Sequence, residues 1–524
     1  MEGKDPAIFI KDGLSKTLVF YYPLAGRIIE GPNRKLMVNC NSEGILFVEA
    51  DANVELEKLG ESIKPPCPYL DLLLHNIPGS DGIVGCPLLL VQPKLVVPAK
   101  VTPCGSKHLS EIDDQGFTRL QASILMFYKH NSSMEGKDPA IFIKDELSKT
   151  LVFYYPLAGR IIEGPNRKLM VNCNSEGILF VEADANVELE KLGESIKPPC
   201  PYLDLLLHNI PGSDGITGCP LLLVQVTRFS CGGFVAGFRV NHTMMDAYGL
   251  NMFLNALSEL IQGASAPTIL PVWQRDLLSA RSPPRITCTH HEFDEQTKSR
   301  IAWESMEDKL IQESFFFGNK EMEAIKNQVS PNCECTKFEL LTAFLWKCRT
   351  IALSLHPDEI VHLTCVVNMR GKVLKFPPGY YGNAFIAPAA VSKAGLLCSN
   401  SLTYAVELVK KLKDHMNEEY IRSVTDLIVI KGRPELTKSW NFMIADNRSA
   451  GFDEFDFGWG KPIFGGVPKA ISHISICVPV KNDKGEKGIL IAISLPPSAI
   501  KKFQEVVYRM TLKNVEGVKI ISKM

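Results

Sequence analysis

The opening ninety-two residues of this chain occur twice. Met1–Gln92 recurs as Met134–Gln225 at an offset of 133, and only two positions differ, Gly13 against Glu146 and Val84 against Thr217. Stacked repeats drift in sequence and share surfaces with their neighbours. A single near-identical pair points instead to a recent copy or an artefact of gene assembly. Both copies carry the same local preferences, so connectivity must decide which of them the fold uses. Pro93–Ser133 leads directly into the second copy, and that copy runs on into the rest of the chain. Pro93–Met524 therefore reads as one full protein. Using the first copy would expel Met134–Gln225 as a loop of 92 residues, at roughly 4 kcal/mol of closure entropy. The first copy is expected to lie outside the working fold. Its apolar runs Leu18–Tyr22, Ile45–Val48 and Leu88–Val91 lack a partner surface and are a liability for strand-mediated association.

The coarse pattern is α/β. Leu221–Phe229 and Phe234–Val240 read as buried strands joined at Cys231-Gly232-Gly233, a hairpin. Leu250, Phe253, Leu254, Leu257, Leu260 and Ile261 then recur at helical spacing, with Gly263 suited to the helix end. Ala264–Pro284 holds four prolines and suits a crossover between domains. Beyond it, Thr336–Ile351 and Leu402–Glu418 are helical, while Val361–Val367, Ile471–Val480 and Ile489–Ile493 are strand-like. The expected organisation is a duplicate over 1–92, one α/β domain over 93–280 and a second over 281–524.

Several classes are excluded. The net charge is −1 and the pI about 6.8, without the clustered positive charge a nucleic-acid binder needs. No apolar run reaches the length of a membrane span, and no signal peptide is expected. The 15 cysteines are scattered singly, so they read as reduced thiols rather than a disulfide frame. Cys333 and Cys335 are poorly spaced for zinc, and no metal site is expected. Neither a Gly-x-Ser-x-Gly elbow, a Walker A loop nor HExxH is present. Asp456-Phe457-Gly458 lacks the upstream kinase motifs.

The hairpin delivers His242-Thr243-Met244-Met245-Asp246 to a strand-to-helix junction. A neutral imidazole accepts a proton near neutral pH, and an alcohol becomes a competent nucleophile when a base takes its proton. Asp246 either orients the ring or turns away into an ion pair; spacing leaves both open. A second match, His290 to Asp294, lies in a charged stretch with no hairpin before it and reads as structural. Further on, Asp456-Phe457-Gly458-Trp459-Gly460-Lys461-Pro462 folds tight backbone around a large ring, which also favours a structural role.

Together, HTMMD (His242–Asp246) and DFGWGKP (Asp456–Pro462), in this order, resemble the two signatures of the plant BAHD acyltransferases. Tyr155–Arg160, Asn368–Lys372 and Tyr381-Gly382-Asn383 are similar to family segments as well. The resemblance covers Pro93–Met524 and is closest to the alcohol acyltransferase branch, which includes benzyl alcohol O-benzoyltransferases. It implies a two-domain fold like chloramphenicol acetyltransferase with a channel between the domains. It implies His242 as general base, Asp246 paired with Arg370, and Asp456, Gly458, Trp459 and Gly460 as a structural motif on the coenzyme side. No permanently bound cofactor follows, with acyl-CoA as co-substrate and a small alcohol as acceptor; the best substrate expectation is benzoyl-CoA with benzyl alcohol. A monomer is expected, cytoplasmic, with the peroxisome as alternative because Ser522-Lys523-Met524 resembles a peroxisomal address. The chain departs from the family in carrying Ala445-Asp446-Asn447 where many members have Thr-Ser-Trp, and in the extra Met1–Gln92. An inactive duplication product and a thioester hydrolase are the competing readings.

Overall fold

The computed structural model describes every residue except 1–5, 32–34, 41–43, 49–89, 93, 211, 295–308, 372–373, 471–473, 483 and 513–524. Leu88, Leu89, Ile471 and the C-terminal tripeptide thus lie outside the described residues. Two six-stranded sheets organise the chain. The first runs, in spatial order, Phe464–Gly466, Gln121–Tyr128, Phe234–Asn241, Leu222–Phe229, Ile178–Ala185 and Lys94–Val96. Only Ile178–Ala185 and Leu222–Phe229 pair in parallel within it. The second runs Ile311–Phe317, Lys487–Leu495, Ile474–Lys481, Asn441–Asp446, Ile360–Cys365 and Ala389–Lys393.

The expected hairpin is present, with Leu222 opposite Val240 and Arg228 opposite Phe234. Every residue of Phe234–Asn241 is buried, which is why its sequence is a continuous apolar run broken mainly by Arg239. The helix after HTMMD spans Ala247–Ile261, and Gly263 follows it at φ 95°. The helix predicted over Thr336–Ile351 forms as Lys337–Leu353 with Thr336 as its cap, and that over Leu402–Glu418 ends at Asp414.

The second half of the chain returns to the first sheet. Phe464–Gly466 pairs with Phe127, Met126 and Leu125, and Phe452, Phe455, Phe457 and Trp459 join the first domain's core. The DFGWG segment, expected with 281–524, therefore packs into the first unit.

The two copies fold alike locally and differ in their surroundings. Arg27–Glu30 pairs with Leu36–Asn39 in the same register as Arg160–Glu163 pairs with Leu169–Cys173, so Ile28 faces Val38 as Ile161 faces Val171. Arg27 donates to the Gly26 and Gly44 carbonyls just as Arg160 donates to those of Gly159 and Gly177. Among the described residues, only the second copy gains a third strand, Gly105–His108. Tyr154, Leu157, Leu169 and Val171 are fully buried, while their counterparts Tyr21, Leu24, Leu36 and Val38 are 42–60% exposed. The boundary between second copy and unique sequence, Gln225 to Val226, falls inside the strand Leu222–Phe229. Substituting the first copy would break a central strand at that point, because Gln92 continues into Pro93 instead.

Among the described residues, no helix is long and apolar enough to cross a membrane, no group of side chains suits a metal ion, and the cysteines are free thiols.

Candidate active site

His242 follows the last residue of the strand Phe234–Asn241 and precedes the helix Ala247–Ile261. The loop between them is tied down at nearly every residue. Asn241 Oδ1 accepts from the Thr243 amide and hydroxyl, at 3.2 and 2.8 Å. The His242 amide donates to Leu120 O at 2.9 Å, and the Met244 amide to Asn241 O at 3.0 Å. The imidazole lies edge-on to Phe385 of the second half, ring centres 5.9 Å apart. Its Nδ1 is enclosed without a hydrogen-bond partner, and the side chain as a whole is half-buried, so Nε2 is the open nitrogen. Burial pushes the His242 pKa below its ordinary 6.5, opposed by its own backbone carbonyl, Asp246, Asn383 and Asp113.

Asp246 caps the following helix by accepting from the Gly249 amide at 2.9 Å. Its carboxylate also takes Arg370 Nη1 at 2.7 Å, Arg370 Nη2 at 3.2 Å and the Ala384 amide at 2.9 Å. These partners turn it away from the ring and join the two halves of the chain. Arg370 donates further to Gly382 O at 2.6 Å and lies 4.5 Å over the Tyr248 ring.

A second ion pair, absent from the sequence reading, lies behind the loop. Asp113 and Arg275 meet at 2.8 Å with side chains 0% and 2% exposed. Asp113 also accepts from the backbone and side-chain amides of Asn383, at 3.0 and 2.9 Å. Gly382 permits this approach: a Cβ there would stand 1.7 Å from Arg275 Nη1. The available signal was Ser110 three residues before Asp113, the spacing of a local cap, which the structure uses: the Ser110 amide and hydroxyl both donate to Asp113.

His290 occupies a different kind of site. Its Nδ1 faces Glu292 Oε1 at 3.1 Å and its Nε2 faces Ser423 Oγ at 2.8 Å. This is the connectivity of a Ser-His-acid triad, but it is closed. Ser423 is fully buried and its Oγ accepts from the amides of Thr287 and Cys288. Its oxygen is thus committed, with no face for a substrate. Asp294 bonds His291 rather than His290.

The DFGWG turn closes on itself: Asp456 Oδ1 accepts from the Gly458 and Gly460 amides at 2.7 and 2.9 Å. Those glycines adopt φ 95° and 86°, the left-handed region that a side chain disfavours. Phe457 stacks on Tyr128, and Trp459 packs edge-on against Phe142 and Phe234. None of the described contacts of these residues reaches His242.

The Transferase family model matches residues 6–93 and 92–510. The chain belongs to this family, the BAHD acyltransferases. The member is 53% identical over 437 residues to "Alcohol acyl transferase 1 allele GSa" of Malus domestica, covering 82% of this chain and 95% of that one. It is 49% identical to "Alcohol acyltransferase 16" of Actinidia chinensis var. chinensis, covering 83% and 97%. Among solved structures, vinorine synthase superposes with a TM-score of 0.61 at 22% identity, covering 78% of this chain and 94% of that one. The F. sporotrichioides TRI101 complex with coenzyme A and T-2 gives 0.57 at 16%, covering 76% and 97%. These likenesses carry the fold, and the expected two-domain acyltransferase architecture is the observed one. The chain is an enzyme of acyl transfer.

Proposed function

We propose that this acyltransferase moves an acyl group from a coenzyme A thioester to an alcohol hydroxyl, giving an ester and free coenzyme A, with His242 as general base. The observation that carries the role of His242 is its desolvated imidazole, with Nε2 open at the junction of the two halves. Nε2 takes the hydroxyl proton as the oxygen attacks the thioester carbonyl. The tetrahedral intermediate then collapses with loss of the thiolate, which recovers the proton. Asp246 and Arg370 hold the loop, and Asp456, Gly458, Trp459 and Gly460 shape the DFGWG turn. Benzoyl-CoA and benzyl alcohol are the substrates we favour, on branch resemblance. A screen of purified protein with several acyl-CoAs and alcohols, reading the ester by mass, tests the reading. Thiol release that is independent of added alcohol, with no ester, would overturn it.

The pH dependence follows from the direction of the shift. A base is active when neutral, and burial lowers the His242 pKa from 6.5. The acid limb of kcat/KM is therefore expected below pH 6.5, with the plateau already reached at neutrality. The same shift makes the unfolded chain bind the proton more readily, so this group's share of stability is present above 6.5 and is lost as pH falls through the lower folded value. An acid limb at or above 6.5 would contradict the role of burial.

The working enzyme in this proposal is Pro93–Met524, with domains 93–280 and 281–524 joined by the DFGWG return, and Met1–Gln92 is dispensable. Deleting the leading copy is expected to preserve specific activity and raise soluble yield, since it removes exposed Tyr21, Tyr22, Leu36 and Val38. Limited proteolysis of the full chain should cut first within that copy. Loss of activity in a folded Pro93–Met524 protein would show that the copy contributes.

A further inference from the structure

We infer that Asp113 is a positioning residue for the base, acting through Arg275 and Asn383 on the two carbonyls that flank Thr243. The inference rests on the reading of His242 as general base. Asp113 Oδ1 is the common anchor: it accepts from Arg275 Nη1 at 2.8 Å, the Asn383 amide at 3.0 Å and Asn383 Nδ2 at 2.9 Å. Its other oxygen is held by Ser110. Each bound partner then reaches the loop. Arg275 Nη2 donates to Met244 O at 2.7 Å, and Asn383 Nδ2 donates to His242 O at 2.9 Å. The two protons of the Asn383 amide nitrogen are thereby both used, one on the anchor and one on the base's own carbonyl.

The arrangement fixes orientation from three parts of the chain. Asp113 belongs to the first domain, Arg275 to the proline-spaced crossover, and Asn383 to the second half. Arg275 is itself clamped over Trp273 at 4.4 Å and Tyr381 at 5.0 Å, so it cannot swing to another acceptor without losing its stacking. With the His242 amide tied to Leu120 O, the residue carrying the base is gripped at both its N–H and its C=O. A base must stand within hydrogen-bond reach of the proton it takes, and a displacement of about 1 Å costs on the order of 10²-fold in rate. None of the three residues is placed to contact substrate in this scheme; each acts through the position of His242.

The test is a double-mutant cycle in the full chain. Asn383→Ala removes the grip on the His242 carbonyl and leaves its own backbone bond to Asp113. It is expected to lower kcat by about 10- to 100-fold with KM for acyl-CoA and for alcohol changed less than about twofold. In a His242→Ala background the same substitution should lower the residual rate by less than about twofold, because no base remains to misplace. Asp113→Asn should lower kcat at least as far as Asn383→Ala; if that variant does not fold, the Asn383 cycle decides alone. A folded Asn383→Ala enzyme with wild-type kcat would overturn the inference. So would an undiminished loss in the His242→Ala background, which would mean that Asn383 acts on substrate or on the fold. A wild-type rate for His242→Ala itself would sink the base assignment and this inference with it, whereas loss there combined with a neutral Asn383→Ala sinks the positioning role alone.

Discussion

His242→Ala is expected to lower ester formation by about 10²–10⁴-fold while leaving the fold intact. The second half of that expectation comes from what the side chain does not do. Nδ1 is enclosed without a hydrogen-bond partner, and among the described residues the ring's aromatic neighbour is Phe385. The bonds that hold the residue run through its amide and carbonyl, to Leu120 and Asn383, and alanine keeps both. Removing the imidazole also relieves the cost of enclosing a polar nitrogen without a partner. Activity and stability should therefore separate: kcat collapses while the melting temperature stays close to that of the parent. His290→Ala supplies the contrast. There both ring nitrogens are bonded in a buried cluster, so the variant should lose stability yet keep near-parental turnover per folded molecule. Near-parental kcat in a folded His242→Ala enzyme, or a matching loss of turnover in folded His290→Ala, would remove His242 from the role of base.

Much of this site was legible because it is local. Strand, tight turn, strand, histidine and amphipathic helix follow one another between Leu221 and Ile261, and each is encoded by residues within a few positions of it. The two readings of Asp246 were not separable from spacing alone, since an i, i+4 carboxylate can face the ring or turn from it. The bonds Asp246 makes to Arg370 and Ala384 run to residues more than 120 positions away. The Asp113–Arg275–Asn383 cluster was invisible for the same reason: its bonds join positions 162 and 270 residues apart. No periodicity records such pairings. The return of Phe464–Gly466 to the first sheet is likewise a three-residue strand, too short to leave a pattern. The duplication shows the limit most plainly. Identical sequence gives the same hairpin register and the same Arg-to-carbonyl bonds in both copies, yet Tyr154 is buried and Tyr21 exposed. Propensity wrote the local structure, and the neighbouring strands and helices, available to one copy only, decided burial.

The Asp246–Arg370 pair should govern stability. Its side chains are 10% and 11% exposed, so removing one partner leaves the other charged, largely desolvated and short of its counter-ion. Breaking such a pair costs roughly 3–5 kcal/mol. Asp246→Asn retains a capping oxygen for the Gly249 amide but discards the charge that two nitrogens of Arg370 share. Arg370→Gln removes the guanidinium that ties Asp246 and Gly382 O together. Each single variant should unfold at lower denaturant concentration than the parent, and each should lose activity beyond the unfolded fraction, because Asp246 begins the helix that follows the base. The double variant carries no stranded charge. Its destabilisation should fall short of the sum of the singles, by an amount in the range of about 0.5–3 kcal/mol for contacting residues. Salt offers an independent check: a pair this enclosed is weakly screened, so the coupling should persist at about 1 M ionic strength, where an exposed pair would fade. Strict additivity of the two singles would mean that the contact contributes nothing, and that Asp246 acts through the Gly249 and Ala384 amides instead.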